Sequence, residues 1–468
     1  MPQEWAIAAR GEAESDAAVA GRDLLVAVDD AGGRGVGLEH ALRDAIRAGR
    51  LAAGTRLPST RALAADLGWA RGTVAGAYEQ LVAEGWLSAR AGAGTVVAAG
   101  REMVAAAQPE APLERAPRYD LTTGSPDVSA FPRRAWAAAL RRVLREAPDE
   151  ALQLGDPRGR IELRAELAAY LGRARGVVAT PERIVICSGY VQALGLLAAV
   201  MGRTVAMEDP CLPLHREVVA AGGRRVVPVA VDDGGARVDE LQADAVVVTP
   251  AHQIGLGATL APERRAALAE WARAGLVVED DYDGEFRYDG RPVGALQALA
   301  PDHIVYAGTA SKALSPALRI AWLVLPEPLI EPVVEAKRLA DSASPALDQL
   351  ALARLIAAGE LDRHLRRMRT HYRRRRDALL ATLPPQVDVL GIAAGLHVSL
   401  RVPALEEEIL AAARERSLAI TGLSAFWHAP AQRPTHIQAG YAAPPGHAFD
   451  GAVRALAGVM RAAASPGS

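Results

Sequence analysis

A lysine, a carboxylate, a phenol and an arginine lie close together in the sequence between residues 279 and 319. Asp280 and Tyr282 follow an apolar run, and Lys312 follows the small residues Gly-Thr-Ala-Ser. A lysine held among small residues can form a Schiff base with an aldehyde if its pKa is lowered. A buried carboxylate can keep a heterocyclic nitrogen protonated, and Arg319 with Ser311 can hold a phosphate.

A second segment offers backbone donors to the same phosphate. Ser188-Gly189-Tyr190 ends a strand-like run and opens a helical one, so its N–H groups would point at an anion. Each element alone also fits a structural role, because acidic pairs are often solvated turns and single lysines are usually surface charges. Their order along the chain, however, is that of fold-type I pyridoxal phosphate (PLP) enzymes.

Beyond residue 117, strand-like apolar runs alternate with helical patterns, which predicts an α/β domain with a largely parallel sheet. Open α/β sheets bind ligands at the carboxyl ends of their strands. A long helical stretch from Pro345 through Leu380, then shorter mixed elements from Val387 onward, predict a smaller α+β domain. The strand-like runs are Arg183–Cys187, Thr204–Met207, Arg225–Val229, Ala245–Val248, Leu276–Glu279, His303–Tyr306 and Ala321–Leu325.

The N-terminal part of the chain predicts three helices followed by a β-hairpin. Leu38 to Ala48 has helical spacing, Ser59 and Gly68 bound a second helix, and a third runs from about Arg71 to Glu84. Trp86 to Val97 has two short apolar ends around a glycine-containing turn. This is the spacing of a helix-turn-helix, whose second helix enters the major groove of DNA. An ordinary three-helix bundle with surface arginines is the alternative.

Several polar residues of this module are candidates for DNA contact. Arg71 could bind guanine or phosphate, Thr73 could donate to phosphate, and Arg61 lies where the preceding helix would cross the backbone. Glycines at the hairpin tip would let the backbone approach the sugar-phosphate chain. The candidate DNA-binding residues are Arg56, Ser59, Arg61, Arg71, Thr73, Arg90, Gly92, Gly94 and Thr95.

Composition limits the class of protein. A chain of 468 residues is too long for one hydrophobic core. The formal net charge of -2 means that any nucleic-acid site must be local. Cys187 and Cys211 are too few for a disulfide framework and lack metal-site spacing, so we expect no metal; buried inert thiols are the simple interpretation and redox sensing the alternative. An acidic N-terminus and no long apolar run predict a cytoplasmic protein without a membrane span.

The segment 101–117 is rich in alanine, proline and charge and has no stable periodicity, which predicts an interdomain linker. We therefore assign residues 1–37 to an N-terminal extension, 38–100 to the DNA-binding domain and 118–463 to the α/β domain.

Specific motifs in the first domain carry a family resemblance. RLPSTR at 56–61, RGTV at 71–74 and RAGAGTVV at 90–97 resemble the winged helix-turn-helix of GntR-type regulators. One departure is Ala70, where that family usually has a serine that caps the recognition helix.

Motifs of the second domain are similar to class I/II aminotransferases, and most similar to the aminotransferase-like half of MocR-type regulators. They include GDPRG at 155–159, TPAHQ at 249–253 and EDDYDGEFRY at 279–288. The resemblance implies a fold-type I domain in which Lys312 forms the Schiff base with PLP, Asp280 pairs with the pyridine nitrogen and Tyr282 bonds the ring hydroxyl. The cofactor-binding residues it implies are Ser188, Gly189, Tyr190, His252, Asp280, Tyr282, Thr309, Ser311, Lys312 and Arg319.

The chain also departs from the family pattern. Leu154 replaces a tyrosine that reaches a partner's phosphate, Tyr190-Val191 replaces Ala/Ser-Gln, and Leu212 replaces an aromatic residue. The arginine that grips a substrate carboxylate is replaced within the stretch 436–441, which reads HIQAGY. The covalent anchor is thus kept while the substrate grip is weakened.

The leading hypothesis is a PLP-responsive transcription regulator with at most vestigial transamination. It would form a head-to-tail homodimer on paired half-sites of a double-stranded DNA operator, with PLP, or a small amine or amino acid condensed with it, as effector. One alternative is a working aminotransferase with an accessory N-terminal domain. Another is a DNA-binding protein whose large domain is a PLP-free dimerisation scaffold.

Overall fold

The computed structural model describes residues 33–90, 94–98, 117–290, 293–429 and 433–464. The chain divides into two compact units, Met1–Ala116 and Pro117–Ser468. Most of the predicted N-terminal extension and linker, together with Gly92 of the hairpin tip, lie outside the described residues.

The first unit contains three helices and a hairpin. Ser59 Oγ accepts a hydrogen bond of 3.1 Å from Ala62 N, and Gly68 ends the same helix with φ 65° in the left-handed region. These are the cap and the stop that the sequence predicts. The elements are α1 (Arg34–Arg47), α2 (Thr60–Leu67), α3 (Arg71–Ala83), β1 (Leu87–Arg90) and β2 (Gly94–Val97).

The core of this unit lies where α1 and α3 meet. Leu42, Val74 and Leu81 are fully buried there. Arg43 of α1 donates to both carboxylate oxygens of Glu84 at the end of α3, at 3.1 and 3.0 Å, and so ties the two helices together. The hairpin strands are antiparallel.

The second unit is an α/β domain followed by a smaller α+β part. Its helices are α4 (Arg133–Glu146), α5 (Ile161–Arg175), α6 (Tyr190–Val200), α7 (Pro213–Ala221), α8 (Pro262–Trp271), α9 (Ala310–Ala313), α10 (Glu327–Asp341), α11 (Ala346–Ala357), α12 (Glu360–Leu380), α13 (Glu406–Glu415) and α14 (Gly446–Ala464). Its strands are β3 (Tyr119–Asp120), β4 (Ile184–Cys187), β5 (Thr204–Asp209), β6 (Arg225–Asp232), β7 (Gly235–Ala236), β8 (Ala245–Val248), β9 (Leu276–Asp281), β10 (Ile304–Thr309), β11 (Ala321–Val324), β12 (Asp388–Leu390), β13 (His397–Val402), β14 (Leu418–Ala419), β15 (Thr421–Gly422) and β16 (Thr435–Gly440).

The main sheet has the order β4-β11-β10-β9-β8-β5-β6-β7. Neighbouring strands from β10 through β6 are parallel, whereas β11 and β7 run antiparallel to their neighbours. All seven predicted strand runs are strands of this sheet. Alternate residues of β4 belong to the cores on its two faces, as expected for a sheet covered on both sides. The fold class predicted from the sequence is confirmed.

The structure adds two details to the predicted C-terminal part. The helical stretch from Pro345 to Leu380 is two helices, α11 and α12, because Gly359 adopts the left-handed conformation (φ 68°) between them. The elements after Val387 also include α14, a helix of 19 residues whose apolar face packs on the smaller sheet. That sheet has the order β12-β13-β16-β15.

None of the helices in the described part of the chain has both the length and the apolar character needed to cross a membrane.

Candidate functional site

Three consecutive carboxylates end strand β9, and two of them have structural partners. Glu279 accepts hydrogen bonds of 2.8 Å from both Leu296 N and Gln297 N. Asp281 accepts from Arg175 Nε at 2.7 Å and from the Tyr306 hydroxyl at 2.9 Å. Because side chains alternate along a strand, these two residues face one side of the sheet and the residue between them faces the other.

Asp280, the middle carboxylate, is buried, and one of its oxygens is free to accept a hydrogen bond. Its Oδ1 atom has no hydrogen-bond partner among the described residues. Burial raises the pKa of Asp280 well above its usual range, the Tyr190 phenol lowers it, and Asp281 raises it further. A buried carboxyl group of this kind costs free energy unless a ligand satisfies it.

Lys312 lies on the short helix α9 at the end of the neighbouring strand β10. Its Nζ donates to the Gly124 carbonyl oxygen at 2.5 Å. Burial lowers the pKa of the Lys312 amine, while the carboxylates of Asp283 and Asp280 act in the opposite direction. A larger fraction of the amine is therefore uncharged, and nucleophilic, than for an exposed lysine. We call Lys312, Asp280, Tyr282, His252 and Asp283 the Lys312 cluster.

Tyr282 and His252 lie in the same cluster, but they are bonded to each other. The Tyr282 hydroxyl donates to the His252 carbonyl oxygen at 3.0 Å and lies 3.2 Å from His252 Nδ1. His252 Nδ1 also lies 2.8 Å from Asp283 Oδ2. The sequence motifs did not identify Asp283 as a site residue, although it directly follows Tyr282 and is buried with it.

A phosphate-sized anion would find donors beside this cluster. Arg319 Nη2 donates to the Ser188 carbonyl oxygen at 2.7 Å. Gly189 has φ 97°, and a Cβ atom there would lie 2.6 Å from Arg319 Nη2, so only glycine lets the guanidinium approach. Thr309 Oγ1 accepts from Ser311 N at 3.1 Å and fixes the start of α9.

A network that the sequence did not predict supports the Ser188 segment. Ser188 N donates to Gln192 Oε1 at 2.6 Å, and Gln192 Nε2 donates to Asp341 Oδ2 at 2.6 Å. The fully buried Lys337 donates to Asp341 Oδ1 at 2.9 Å and to Ser344 Oγ at 2.9 Å. Gln192 lies on α6, whereas Lys337 and Asp341 lie on α10, so only the tertiary structure brings them together.

Gln438 stands in the stretch where the family resemblance implies a carboxylate-binding arginine. It is fully buried on β16, and its Nε2 donates to the Gly255 carbonyl oxygen at 3.2 Å and lies 3.1 Å from Ser399 Oγ. A neutral amide tied to backbone cannot make the bidentate charge-assisted contact of an arginine.

Both cysteines are buried. Burial raises the pKa of Cys187 to about 12 and that of Cys211 to about 11. Thiols that stay protonated react slowly with oxidants, which argues against redox sensing. The described residues contain no cluster of three or more metal-ligating side chains.

The candidate DNA-binding residues of the first unit divide into two groups. Arg61 and Arg71 are exposed on α2 and α3, and neither is in an ion pair within the described residues. Ala70 precedes α3 without a side-chain cap, as expected from the sequence. Thr73 is half-buried in the first turn of α3, and Ser59 is used to cap α2.

The wing residues pack on the segment before α2. Thr95 carbonyl oxygen accepts from Leu57 N at 2.9 Å, and a Cβ on Gly94 (φ 78°) would lie 3.0 Å from Arg56 Nε. Arg56, Gly94 and Thr95 are thus brought together. Arg90 pairs with Gly94 across the hairpin, and its side chain, like Gly92, lies outside the described part.

The geometry of the Lys312 cluster fits a phosphorylated pyridine aldehyde. The unpaired Asp280 oxygen could meet a protonated ring nitrogen, Lys312 could bond to the aldehyde carbon, and the Gly189–Arg319 cradle could hold the phosphate. Bound there, such a group withdraws electrons from an attached amine. The protein residues would orient the group, exclude water from it and hold a proton between Asp280 and its ring nitrogen.

Comparisons with known families assign each unit. Residues 118–439 match aminotransferase class I and II, and residues 36–97 match the bacterial regulatory proteins of the gntR family.

Individual relatives span both units. The chain is 33% identical over 402 residues to the HTH-type pyridoxine biosynthesis transcriptional regulator PdxR of Corynebacterium glutamicum, covering 83% of this chain and 88% of that protein. It is 34% identical over 435 residues to the "Probable rhizopine catabolism regulatory protein MocR" of Rhizobium meliloti, covering 85% and 88%. Among solved structures, α-aminoadipate aminotransferase LysN of Thermus thermophilus, complexed with N-(5'-phosphopyridoxyl)-L-leucine, is 26% identical with a TM-score of 0.67, covering 73% of this chain and 92% of that one.

Proposed function

The chain belongs to the MocR-type branch of the GntR family of bacterial transcription regulators, and we propose that it responds to pyridoxal phosphate bound at Lys312. DNA binding belongs to the first unit and signal binding to the second. The observation that carries the proposal is the Lys312 cluster itself, in which a buried amine of lowered pKa lies near a buried carboxyl oxygen without a partner.

The lysine content of the chain supports a chemical role for this amine. The sequence has only two lysines, Lys312 and Lys337, and uses arginine for its other long cationic side chains. Arginine cannot form a Schiff base under these conditions, because its guanidinium stays protonated. Lys337 is occupied by Asp341 and Ser344, so Lys312 is the amine available to an aldehyde.

The proposed effector is pyridoxal phosphate itself, or its adduct with a small amine. One relative is named for pyridoxine biosynthesis, which supports a pyridoxine-derived signal. The neutral Gln438 gives a substrate carboxylate no charged partner, which disfavours an amino acid. An active aminotransferase is the competing function, and the Lys312–Asp280 pair is the feature that favours it.

On the DNA side, we propose that Arg71 and Arg61 contact the operator and that two copies of the chain bind paired half-sites. The exposed apolar side chains Leu144, Leu152 and Leu154 of the second unit, 60%, 63% and 78% exposed, support a surface for a second copy. Two half-sites would double the phosphate contacts of a weakly charged module.

The test is a titration of the purified protein with pyridoxal phosphate, followed by its visible absorbance and by operator binding. We expect a visible band that borohydride fixes on Lys312, that is lost in Lys312→Ala, and that changes operator affinity. Since only two lysines exist, peptide mass mapping locates the adduct without ambiguity.

Each other result contradicts part of the proposal. Absence of the band in the wild type would leave a DNA-binding scaffold, and a band retained in Lys312→Ala would refute the assigned lysine. Rapid conversion to the pyridoxamine form by amino acids would instead indicate an aminotransferase.

A further inference from the structure

Tyr190 is the first residue of α6, and its side chain reaches across to the end of β9. Its ring lies against the buried His215 ring, with centroids 4.9 Å apart and planes tilted by 56°. Its hydroxyl is buried beside the Asp280 carboxyl and acts on it as a donor that lowers the carboxyl pKa against the larger, raising effect of burial. Neither the Tyr190 hydroxyl nor Asp280 Oδ1 has another partner in the described ranges. Two polar atoms that lack any other partner are therefore buried next to each other.

The charges around Asp280 make this neighbour important. Glu208 and Asp281 disfavour ionisation of Asp280 and raise its pKa, whereas the Tyr190 phenol and Lys312 lower it. Tyr282 also faces Asp280. Among these groups, Tyr190 is an uncharged donor that can stabilise the Asp280 anion without competing for a cationic ring nitrogen.

The ring of Tyr190 packs on a histidine that lies near Lys312. It is backed by His215, whose pKa is lowered to about 4 mainly by burial and further by the nearby Lys312 charge. Tyr190 directly follows the Ser188–Gly189 cradle in the chain, and its partner ring His215 lies near Lys312, so the ring pair lies near both the cradle and the lysine. Stacked or tilted aromatic pairs stabilise one another beyond their buried area.

We infer that Tyr190 is a positioning residue for the cofactor, whose phenol holds the Asp280 carboxylate and whose ring forms one wall for the pyridine ring. The inference rests on the proposed binding of pyridoxal phosphate at Lys312. It assigns a role to the side chain of residue 190, whereas the sequence comparison pointed only to the backbone of the Ser188–Tyr190 segment.

The test compares Tyr190→Ala and Tyr190→Phe with the wild type in pyridoxal phosphate titrations. Tyr170→Phe is the matched control, because that buried phenol bonds Glu285 instead, at 3.2 Å. We expect Tyr190→Ala to weaken binding about tenfold or more, because it removes both the wall and the donor. Tyr190→Phe keeps the wall, so binding should recover to within about threefold of the wild type.

The pH titration of the bound cofactor's visible band separates positioning from a structural role. Tyr190→Phe removes a donor from Asp280, which makes the ring nitrogen less cationic, so the lysine-bound nitrogen should keep its proton to higher pH. The midpoint should rise by about half a unit or more in Tyr190→Phe and stay unchanged in Tyr170→Phe.

Tighter binding in Tyr190→Ala would overturn the inference, because it would make Tyr190 a competitor that occupies the cofactor's space. Unchanged binding in both Tyr190 variants would overturn it as well. In either case a normal wild-type band leaves the proposed function intact, whereas no wild-type band would overturn both.

Discussion

The first turn of α3 and the Lys312 cluster hold their candidate functional side chains in opposite environments. Arg71 is exposed and makes no ion pair within the described residues, so its charge is available to a polyanion. Asp280 and Lys312 are buried, and burial shifts the pKa of each toward its neutral form. The first region leaves a cationic side chain exposed to solvent, whereas the second buries polar groups, one of which, Asp280 Oδ1, has no hydrogen-bond partner among the described residues.

This difference predicts how the two regions respond to substitution. Removing an exposed cation changes ligand affinity and leaves folding unchanged, since the side chain has no partner to lose. Changing a buried group alters stability and its pH dependence together with ligand binding.

The largest effect is expected for Glu208, a buried carboxyl group beside the Lys312 cluster that should oppose folding at neutral pH. Burial raises the pKa of Glu208 from 4.5 to about 7. The folded state therefore holds a proton that the unfolded state loses, and stability falls as pH rises from about 4.5 to about 7. Glu208→Gln should remove this loss. Between these two pH values, the unfolding free energy of the variant should therefore rise by about 3 kcal/mol relative to that of the wild type.

Urea unfolding of the cofactor-free protein at several pH values measures this gain. The exposed Glu335→Gln variant is the control and should keep a constant difference from the wild type. A constant difference for Glu208→Gln as well would show that Glu208 is not protonated in the folded protein.

A smaller effect is expected in the phosphate cradle. Gly189→Ala places a Cβ 2.6 Å from Arg319 Nη2 in a backbone with φ 97°, so it should cost about 2 kcal/mol of stability and weaken pyridoxal phosphate binding. Gly195→Ala in α6, the helix that Gly189 precedes, is the matched control, because its Cβ would meet only Val218 Cγ1 at 3.8 Å. Thermal unfolding should show that control unchanged or stabilised, and equal losses in both variants would refute the cradle argument.

On the exposed side of the comparison, Arg71→Ala should weaken operator binding about tenfold and reduce the salt dependence by about one phosphate contact. Its melting temperature should equal that of the wild type. Arg338→Ala, an exposed substitution in the second unit, is the control for non-specific charge effects. A drop in stability for Arg71→Ala, with unchanged DNA affinity, would place Arg71 in the fold rather than at the DNA.

The smallest predicted effect concerns the start of the recognition helix. Ala70→Ser supplies the cap that α3 lacks and should stabilise the first unit by about 1 kcal/mol. Circular dichroism melts would detect the change. Ser59→Ala, which removes the existing cap of α2, should shift the melt in the opposite direction.

The parts of this protein that the sequence predicts well depend on local interactions. Ser59 and Gly68 bound α2 because capping involves residues three or four positions apart. The strands of the main sheet are predicted because short apolar runs suit a sheet covered on both faces. Gly359 shows the limit of such patterns, since apolar periodicity continues through a residue whose left-handed backbone separates α11 from α12.

The sequence by itself determined the two families, the order of the elements and the identity of the cationic and acidic residues. Only the tertiary structure decided which groups stay unpaired. Asp281 accepts a hydrogen bond from Arg175, 106 positions away, whereas Asp280 Oδ1 has no hydrogen-bond partner among the described residues. Likewise, Lys312 reaches Gly124 and Tyr190 reaches Asp280 across separate elements. Chemical type is local to a residue, whereas burial, partners and pKa depend on contacts that exist only once the chain has folded.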